Sequence, residues 1–359
     1  MTDLRKKSFS GLIAEVINDP DRKPLYKIIL EIIILAFYHK KIPGQYFSQY
    51  MFKKDIRNIK DYFYEDFFFH KIKPFLNEHG ARDVIENKLY FAFFYSQFNI
   101  PQPEILMYNH RKMFVFGKDC FEINNASDFI NQLRILFRKN PDIDSIFIKR
   151  TYGSYGGKQV FKLTKDQLTD NIIFFENLYS EVIKTGFLFQ KTVSQHPELN
   201  KISSSSLNTI RIDTFIDKEG NAEILSAYLR MSTNNKHVDN ISSGGCQVGI
   251  WLDSGKMKKE GYSDFTTAGT KDYTEHPITG VIFEGFQIPY FNEVKELVIK
   301  TAALMPGLRL VGWDVAVSET GPVLIEGNSD YAVSGNDMAD GGYRKNPVFR
   351  KVLKELNYI

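Results

Sequence analysis

The sequence predicts an α+β fold in which a helical N-terminal region precedes two lobes of strands and helices. Residues 1–98 carry Phe, Tyr, Ile and Lys at helix spacing and contain few strand signals. From residue 144 onward, short apolar strands follow one another between turns rich in Gly, Ser and Asn. The predicted units are a helical region (1–98), a lobe with a glycine flap (99–190), a lobe ending in a polar hairpin (191–345) and a C-terminal helix (346–359).

Composition narrows the functional classes. The chain has 359 residues, of which 43% are hydrophobic and 25% charged, as expected for a soluble globular protein. A net charge of +3 gives no global field that would favour nucleic acid. Cys120 and Cys246 form no metal or redox spacing, and no signal peptide is visible. We therefore expect a cytoplasmic protein.

The N-terminal region includes an apolar segment over residues 25–38. Its fourteen residues include Lys27 and Glu31, so it is too short and too charged to cross a bilayer, which needs about 20 apolar residues. A buried helix is the preferred interpretation. An interfacial helix at a membrane stays open because basic residues flank the segment, namely Arg5, Lys6, Lys7, Arg22, Lys23, Lys40 and Lys41.

The remaining elements follow from periodicity and from helix and turn signals. Helices are expected over 83–98, 127–138, 165–185 and 292–305, and as a short surface helix in the last eighteen residues. Strands are expected over 104–108, 112–116, 145–150, 159–163, 187–190, 208–216, 222–231 and 247–252, and in a hairpin over 311–328. Residues 253–290 are too irregular to assign.

A glycine-rich loop, TYGSYGGK, occupies residues 151–158 between two of these strands. Glycines let a backbone approach phosphates and direct its amides toward them. The loop is not a P-loop, because Lys158 is followed by Gln159 and a strand instead of by Ser or Thr and a helix. Lys149 on the preceding strand could neutralise nucleotide phosphates. A mobile hairpin tip beside an exposed lysine is the alternative.

The hairpin at 311–328, VGWDVAVSETGPVLIEGN, has two different faces. The odd positions from 311 to 317, and 323 and 325, are all apolar, whereas the even positions include Asp314, Glu326 and Asn328. If the loop has an odd residue count centred on Thr320, Asp314 lies opposite Glu326. Two facing carboxylates and an amide suit a hard cation such as magnesium. A solvated outer face is the alternative.

The order of these motifs resembles that of the ATP-grasp superfamily: a strand lysine, a glycine flap, a hinge strand, an arginine strand and an Asp, Glu and Asn set. More narrowly, HPELN at 196–200, SLNTIRIDT at 206–214, the 240–245 stretch and HPITG at 276–280 resemble the sugar-transfer-associated branch, close to teichuronopeptide-type proteins. The resemblance covers roughly residues 10–345. It implies an ATP-grasp fold, in which two α+β lobes clasp ATP.

The resemblance also implies residue roles. ATP would contact Lys149, the flap and an upstream lysine matched by Lys88, while the hinge backbone would pair with adenine. Gln190 and Lys191 replace the usual acidic start of that hinge. The nucleotide-binding set is Lys88, Lys149, Gly153, Ser154, Gly156, Gly157, Gln190, Lys191, Thr192 and Val193; the catalytic set is Arg211, Arg230 and Asn240; the magnesium ligands are Asp314, Glu326 and Asn328.

By the same resemblance the chain would be a ligase that joins a carboxylate, from a uronic acid or amino acid, to an amine through an acyl phosphate. The expected setting is assembly of a cell-surface polysaccharide, with peripheral association with the membrane or with glycosyltransferases. Two alternatives stay open: a kinase of a sugar or small-molecule hydroxyl, and a non-catalytic nucleotide-binding scaffold for glycosyltransferases.

Overall fold

The computed structural model describes residues 6–153, 159–168, 171–234 and 239–359. Thirteen α-helices lie in these ranges: α1 Phe9–Asn18, α2 Leu25–His39, α3 Gln45–Ser48, α4 Glu65–Phe67, α5 His79–Glu86, α6 Lys88–Ser96, α7 Ala126–Lys139, α8 Ile172–Val182, α9 Pro197–Ile202, α10 Phe265–Ala268, α11 Phe291–Ala303, α12 Ser334–Asp340 and α13 Pro347–Glu355.

Thirteen strands lie in the same ranges: β1 Ile105–His110, β2 Met113–Phe116, β3 Asp119–Glu122, β4 Ser145–Arg150, β5 Val160–Thr164, β6 Gly186–Lys191, β7 Thr209–Ile216, β8 Ala222–Ser232, β9 Gly245–Ile250, β10 Met257–Ser263, β11 Asp272–Tyr273, β12 Leu310–Ser318 and β13 Gly321–Asn328. They form two sheets, in the orders β3-β2-β1-β6-β4-β5 and β11-β10-β9-β8-β7-β12-β13.

Residue contacts divide the chain into two compact units. The first consists of residues 1–82, 195–322 and 327–359, and the second of residues 83–194 and 323–326. The N-terminal helices α1 to α4 therefore belong to the unit that carries β7 to β12. The domain boundaries expected from the sequence, at residues 98, 190 and 345, stay predictions.

The second unit is built on the six-stranded antiparallel sheet. Alternate residues of β4 and β6, including Ile146, Ile148 and Phe189, are fully buried and share one core with apolar residues of α7 and α8. Leu133 and Val182 contribute to that core from the two helices. The predicted helix over 165–185 is shorter than expected, because a 3₁₀ turn at Lys165–Gln167 precedes α8.

The first unit is built on the seven-stranded sheet, whose central strands are buried on both faces. On β12 the odd positions Val311, Trp313, Val315 and Val317 are at most 1% exposed, as their apolar character predicts. The indole Nε1 of Trp313 donates to Thr214 Oγ1 at 2.9 Å. Helix α11 packs against β7, β8 and β12, and α12 packs against β8 and β9. The even positions Asp314 and Ala316 are buried as well, so the solvated-face alternative is wrong for β12.

Helix α2 matches the predicted apolar segment but is buried along only one stripe. Ile28, Glu31 and Leu35 face the core, whereas Tyr26 and Phe37 are 74% and 82% exposed. The expectation of a buried helix therefore holds for one stripe of α2 and not for its other face. None of the helices in the described ranges combines the length and the apolar character needed to cross a membrane.

One of the flanking basic residues lies inside the core instead of on the surface. Lys23 Nζ donates to Glu31 Oε2 at 2.8 Å and to the carbonyl of Met51 at 2.7 Å. Tyr46 Oη donates to the same carboxylate at 2.7 Å. The apparent charge pattern around α2 thus overstates the number of cations available to a membrane surface.

Three other differences from the sequence expectations concern individual helices and strands. The predicted helix over 83–98 is interrupted at Asn87, whose side chain accepts from the backbone N–H groups of Leu89 and Tyr90 and so begins a new helix, α6. Strand β10 occupies part of the segment that could not be assigned. Strand β3, Asp119–Glu122, was also not predicted.

Candidate functional site

The even-numbered positions of β12 lie on a polar face that continues across three neighbouring strands. Asp314 is the Cα partner of Arg211 on β7, which is the partner of Tyr228 on β8. Two residue pairs along, Thr209 on β7 faces Arg230 on β8, and Arg230 faces Gln247 on β9. Directly opposed residues of antiparallel strands share a face. The sheet therefore brings together one carboxylate and two arginines from distant parts of the sequence.

Asp314 is the centre of this cluster. Its side chain is 1% exposed. Arg211 donates to both of its oxygens, from Nε to Oδ1 at 2.5 Å and from Nη2 to Oδ2 at 3.1 Å. Arg230 Nη2 lies 2.7 Å from Oδ2. A carboxylate buried in this way needs cations and hydrogen bonds to stay charged. The structure places Asp314 in contact with both arginines, and the chemical roles proposed for the three residues stay predictions.

A second acidic residue, Asp239, lies close to the guanidinium group of Arg230. Arg230 Nε lies 3.6 Å from Asp239 Oδ2, and Asp239 also accepts from the backbone N–H of Thr209 at 3.0 Å. Burial raises the pKa of Asp239, although Arg230 and Thr209 oppose that rise. Burial alone would lower the pKa of Arg230, but Asp239 and Asp314 outweigh it and raise the pKa. Asn240 completes the group, since its Oδ1 accepts from Arg230 Nη1 at 3.5 Å.

The predicted hairpin is present, but its connection is shorter than expected. Only Glu319 and Thr320 separate β12 from β13. With a two-residue connection, a regular ladder would place Ile325, not Glu326, opposite Asp314. Burial along β13 does not alternate either. The connection thus has two residues, an even count, whereas the expected facing of Asp314 and Glu326 was conditional on an odd one; that facing stays a prediction.

Glu326 and Asn328 nevertheless have defined surroundings. Glu326 Oε2 lies 3.2 Å from Lys88 Nζ within the second unit, and both side chains are only partly exposed. This pair links the predicted metal ligand to the predicted upstream lysine. Asn328 Nδ2 donates to the carbonyl of Gly312 at 3.5 Å.

Lys149 lies on β4, as predicted. Its Cα partners are Val160 on β5 and Leu188 on β6, and its ammonium lies 5.6 Å from the ring centroid of Phe147. Gly153, at the start of the predicted flap, has a φ of +70° that favours glycine. Three other predicted flap residues, Ser154, Gly156 and Gly157, lie outside the described residues.

The predicted hinge side chains contact their own unit. Gln190 is 5% exposed, and its Nε2 donates to the carbonyl of Pro103 at 3.4 Å. Lys191 pairs with Asp142 at 2.7 Å. Thr192 Oγ1 donates to the carbonyl of Ser145 at 2.9 Å, and Val193 is partly buried. These contacts position the backbone of the stretch.

Sequence reasoning missed four members of the polar face: Thr209, Tyr228, Asp239 and Gln247. Strand parity offered a signal for one of them, Tyr228, because β8 carries polar residues at alternate positions 226, 228 and 230. Within the described residues, no group of three or more His, Cys, Asp or Glu side chains is arranged to hold a metal ion. A metal at this face would therefore need amide or water oxygens in addition to carboxylates.

Comparison with solved structures finds similar folds at low identity. PsnB, an ATP-grasp ligase complexed with minimal precursor, Mg and ADP, is 13% identical over 79% of this chain and 62% of its own, with a TM-score of 0.42. D-alanyl-alanine synthetase A from Vibrio cholerae is 14% identical over 79% and 68%, with a TM-score of 0.44. D-alanine–D-alanine ligase from Bacillus anthracis is 10% identical over 78% and 70%, with a TM-score of 0.43.

These matches carry no argument about activity, and the chain spans only 62% of the length of PsnB. No curated protein sequence matches the chain. The model of one family, described as sugar-transfer associated ATP-grasp, matches residues 68–348, which is well over half of the chain. The expected ATP-grasp fold is therefore confirmed, and the chain belongs to the sugar-transfer associated ATP-grasp family.

Proposed function

We propose that the protein is an ATP-dependent ligase that joins a carboxylate to an amine during assembly of a cell-surface polysaccharide. The observation that carries this proposal is the buried cluster of Asp314, Arg211 and Arg230 on the polar face of the sheet. Phosphoryl transfer needs fixed cations more than it needs a nucleophilic side chain. The family description supports the polysaccharide setting.

In this proposal the two arginines stabilise charge on the transferred phosphoryl group, and Asn240 holds Arg230 in place. Lys149 neutralises nucleotide phosphates, helped by Lys88 and the flap that starts at Gly153. The backbone of residues 190–193 pairs with adenine. Each role uses a residue as an electrostatic or positioning group, which agrees with the absence of an obvious nucleophile in the sequence.

The residues proposed for magnesium have the right chemistry. Asp314, Glu326 and Asn328 offer only hard oxygen donors, which magnesium prefers. Asp314 and Glu326 lie against cations, Arg211 and Lys88 respectively. A bound magnesium ion would supply further positive charge to the phosphate oxygens.

The proposed reaction balances without a covalent enzyme intermediate. A carboxylate oxygen takes the γ-phosphoryl group of ATP, which releases ADP and forms an acyl phosphate. The amine nitrogen then forms a bond to the acyl carbon, the carbon–oxygen bond to phosphate breaks, and the phosphate leaves with the amine proton.

The test is ADP release in the presence of ATP, magnesium, a panel of uronic and amino acids, and hydroxylamine, which converts acyl phosphates to hydroxamates. We expect hydroxamate and ADP in equal amounts from the wild-type protein. Glu326→Ala should abolish both products. Glu319→Ala is the matched control, because Glu319 is exposed in the turn of the same hairpin.

Full activity in Glu326→Ala would contradict the metal assignment. ADP formation with a stable phosphoester and no hydroxamate would instead identify a kinase. Tight ATP binding without any turnover across the panel would identify a scaffold.

We also propose that the protein works in the cytoplasm, at the surface of an anionic membrane, through α2. Tyr26, Leu30 and Phe37 are 74%, 53% and 82% exposed at helix spacing, and Lys27 and Lys40 are exposed beside them. An apolar stripe with neighbouring cations is typical of a helix that lies in a lipid interface.

Co-sedimentation with phosphatidylserine vesicles tests this location. Phe37→Ser should weaken binding, whereas Ile173→Ser should not, because Ile173 is 68% exposed but lies on α8 in the other unit. Equal binding to uncharged vesicles, or equal losses in the two variants, would refute the proposed interface.

A further inference from the structure

A pocket in the first unit adjoins the arginine cluster but is not part of it. Its volume is about 560 Å³, and its lining comes from α3, β9, α10 and α12 and the segments beside them. Gln247 on β9 forms part of the wall and is the Cα partner of Arg230, while Ile241 follows Asn240 in sequence. Two lining residues of the pocket are therefore neighbours of Arg230 and Asn240, which are proposed to act on the phosphoryl group.

Three buried glutamines with incomplete hydrogen bonding line this pocket. Gln45, Gln49 and Gln247 are 8%, 1% and 2% exposed. Both polar atoms of Gln45, both of Gln247 and Oε1 of Gln49 have no hydrogen-bond partner among the described residues. Buried polar atoms are rarely left without partners, because each costs about 1–3 kcal/mol. These amides are therefore available to a ligand or to water.

The unpartnered atoms include two amide nitrogens and three amide oxygens, so they both donate and accept. Hydroxyl groups, which also do both, complement such a surface. The Nε2 of Gln49 donates to Asp337 Oδ2 at 3.1 Å, which fixes the amide and leaves its Oε1 as an acceptor without a partner among the described residues. Neutral amides of this kind suit a polyhydroxylated molecule.

The charged side chains that line this pocket, among the described residues, are all acidic. Glu65, Asp66 and Asp264 contribute carboxylates, and the lining contains no lysine or arginine among the described residues. Lys41 pairs with Asp66 at 2.7 Å, and Asp264 accepts from the backbone N–H of Thr266 at 2.8 Å, so two of the three acids are partly compensated. A carboxylate ligand would find no cation here, whereas an amine would find acids.

We propose that this pocket binds the amine substrate, and that this substrate is a polyhydroxylated amine of the amino-sugar class. The inference rests on the proposed ligase function and names its second substrate. The pocket holds the hydroxyls through the glutamine amides and keeps the amine near the acidic lining. The amine nitrogen then attacks the acyl phosphate, phosphate departs with the bonding electrons, and the amine proton goes to that phosphate.

The experiment separates the pocket from the phosphoryl chemistry. Hydroxylamine is small and reports acyl phosphate formation, whereas D-glucosamine is the probe for the pocket. Gln247→Leu and Gln45→Leu should each reduce amide formation with D-glucosamine about tenfold more than hydroxamate formation, the effect of about 1.4 kcal/mol. Gln97→Leu is the matched control, because Gln97 is exposed on the other unit.

Binding provides a readout that needs no turnover. Saturation-transfer NMR should show D-glucosamine binding to the wild-type protein more tightly than D-glucose, and D-glucuronate not binding at this pocket. The glutamine variants should lose the D-glucosamine signal while keeping the wild-type circular dichroism spectrum. A double variant with Ser in place of both glutamines serves if a Leu variant fails to fold.

The outcomes distinguish two failures. Absence of hydroxamate with every carboxylate, together with glucosamine binding, would refute the ligase function and leave the pocket assignment standing. Hydroxamate formation with parallel losses in both assays, equal binding of D-glucuronate, or no glucosamine binding would refute the pocket assignment, and water alone would then satisfy the glutamines.

Discussion

The polar face of the seven-stranded sheet contains two buried aspartates that the chain stabilises in opposite ways. Asp314 lies against the guanidinium groups of Arg211 and Arg230. Asp213, which is on the same face opposite Gly312, instead accepts hydrogen bonds from neutral groups. These donors are the backbone and hydroxyl of Ser226, Nδ2 of Asn336 and the hydroxyls of Tyr331 and Tyr343.

The consequence for charge differs between the two regions. Burial raises the pKa of Asp213 to about 6, and neutral hydrogen bonds only partly offset it. Asp337 on α12 belongs to the same neutral region, and burial raises its pKa to about 8 although three donors face it. The comparison teaches that one end of the face holds its buried carboxylates with guanidinium groups, while the other end holds them with neutral donors.

The largest expected effect on stability comes from removing the Asp314 carboxylate. Asp314→Ala leaves two guanidinium groups without their shared carboxylate, so the free energy of unfolding should fall by about 3–5 kcal/mol in urea denaturation. Glu223→Ala removes a carboxylate from an exposed ion pair with Lys351 and should cost less than about 1 kcal/mol. A similar decrease in the free energy of unfolding in both variants would show that the buried arginines do not depend on the Asp314 carboxylate.

The neutral end predicts a pH dependence of stability. The pKa values of Asp213 and Asp337 are raised above the ordinary value of 3.8, so the folded protein binds protons more tightly than the unfolded chain. Their contribution is fully present below about pH 4 and is lost as pH rises toward about 8. Each group changes the free energy of unfolding by at most about 1.4 kcal/mol per pH unit in its window.

Urea denaturation at pH 5, 6.5 and 8 measures this dependence. Asp337→Asn should make the free energy of unfolding less dependent on pH between pH 6 and 8, because Asp337, the group with the higher pKa, titrates in that range. A slope unchanged in that variant would show that another group is responsible.

A smaller effect tests how closely α12 packs on the face between these two ends. A Cβ on Gly335 would lie 2.7 Å from the hydroxyl of Tyr228 and 2.8 Å from Oε1 of Gln247. Gly335→Ala should therefore cost about 1–3 kcal/mol in thermal or urea unfolding. Gly80→Ala, where a Cβ on α5 meets no atom within 4 Å, should be neutral or stabilising. Equal effects at both positions would contradict the close approach.

The smallest expected effect on stability comes from the ion pair between Lys88 and Glu326, which lies outside this face. Lys88 and Glu326 are partly exposed, so Lys88→Met should change the free energy of unfolding by less than about 1 kcal/mol. The same variant should raise the magnesium concentration needed for half-maximal ADP release if Lys88 helps to position Glu326. A loss above about 2 kcal/mol would place this pair with the buried cluster instead.

Local patterns predicted much of the fold, while pairings between distant residues were not predictable. The apolar odd positions of β12 are a local pattern, and Val311 and Trp313 are buried as that pattern predicts. The contact of Asp314 with Arg211 depends on β12 lying next to β7, about a hundred residues earlier, and no local signal fixes that choice. The connection between β12 and β13 was misjudged because Ser318 and Gly321 still belong to strands. Strand β10, MKKEGYS, lacks clear alternation and was missed.

The position of Trp313 gives the protein a spectroscopic use. Trp313 is 1% exposed and adjoins Asp314 in sequence, whereas Trp251, the chain's other tryptophan, is 54% exposed. A Trp251→Phe variant would therefore carry one indole, whose blue-shifted emission comes from the strand that holds the buried carboxylate. Titration of that fluorescence with nucleotide, with and without magnesium, would report events at β12 without any added label.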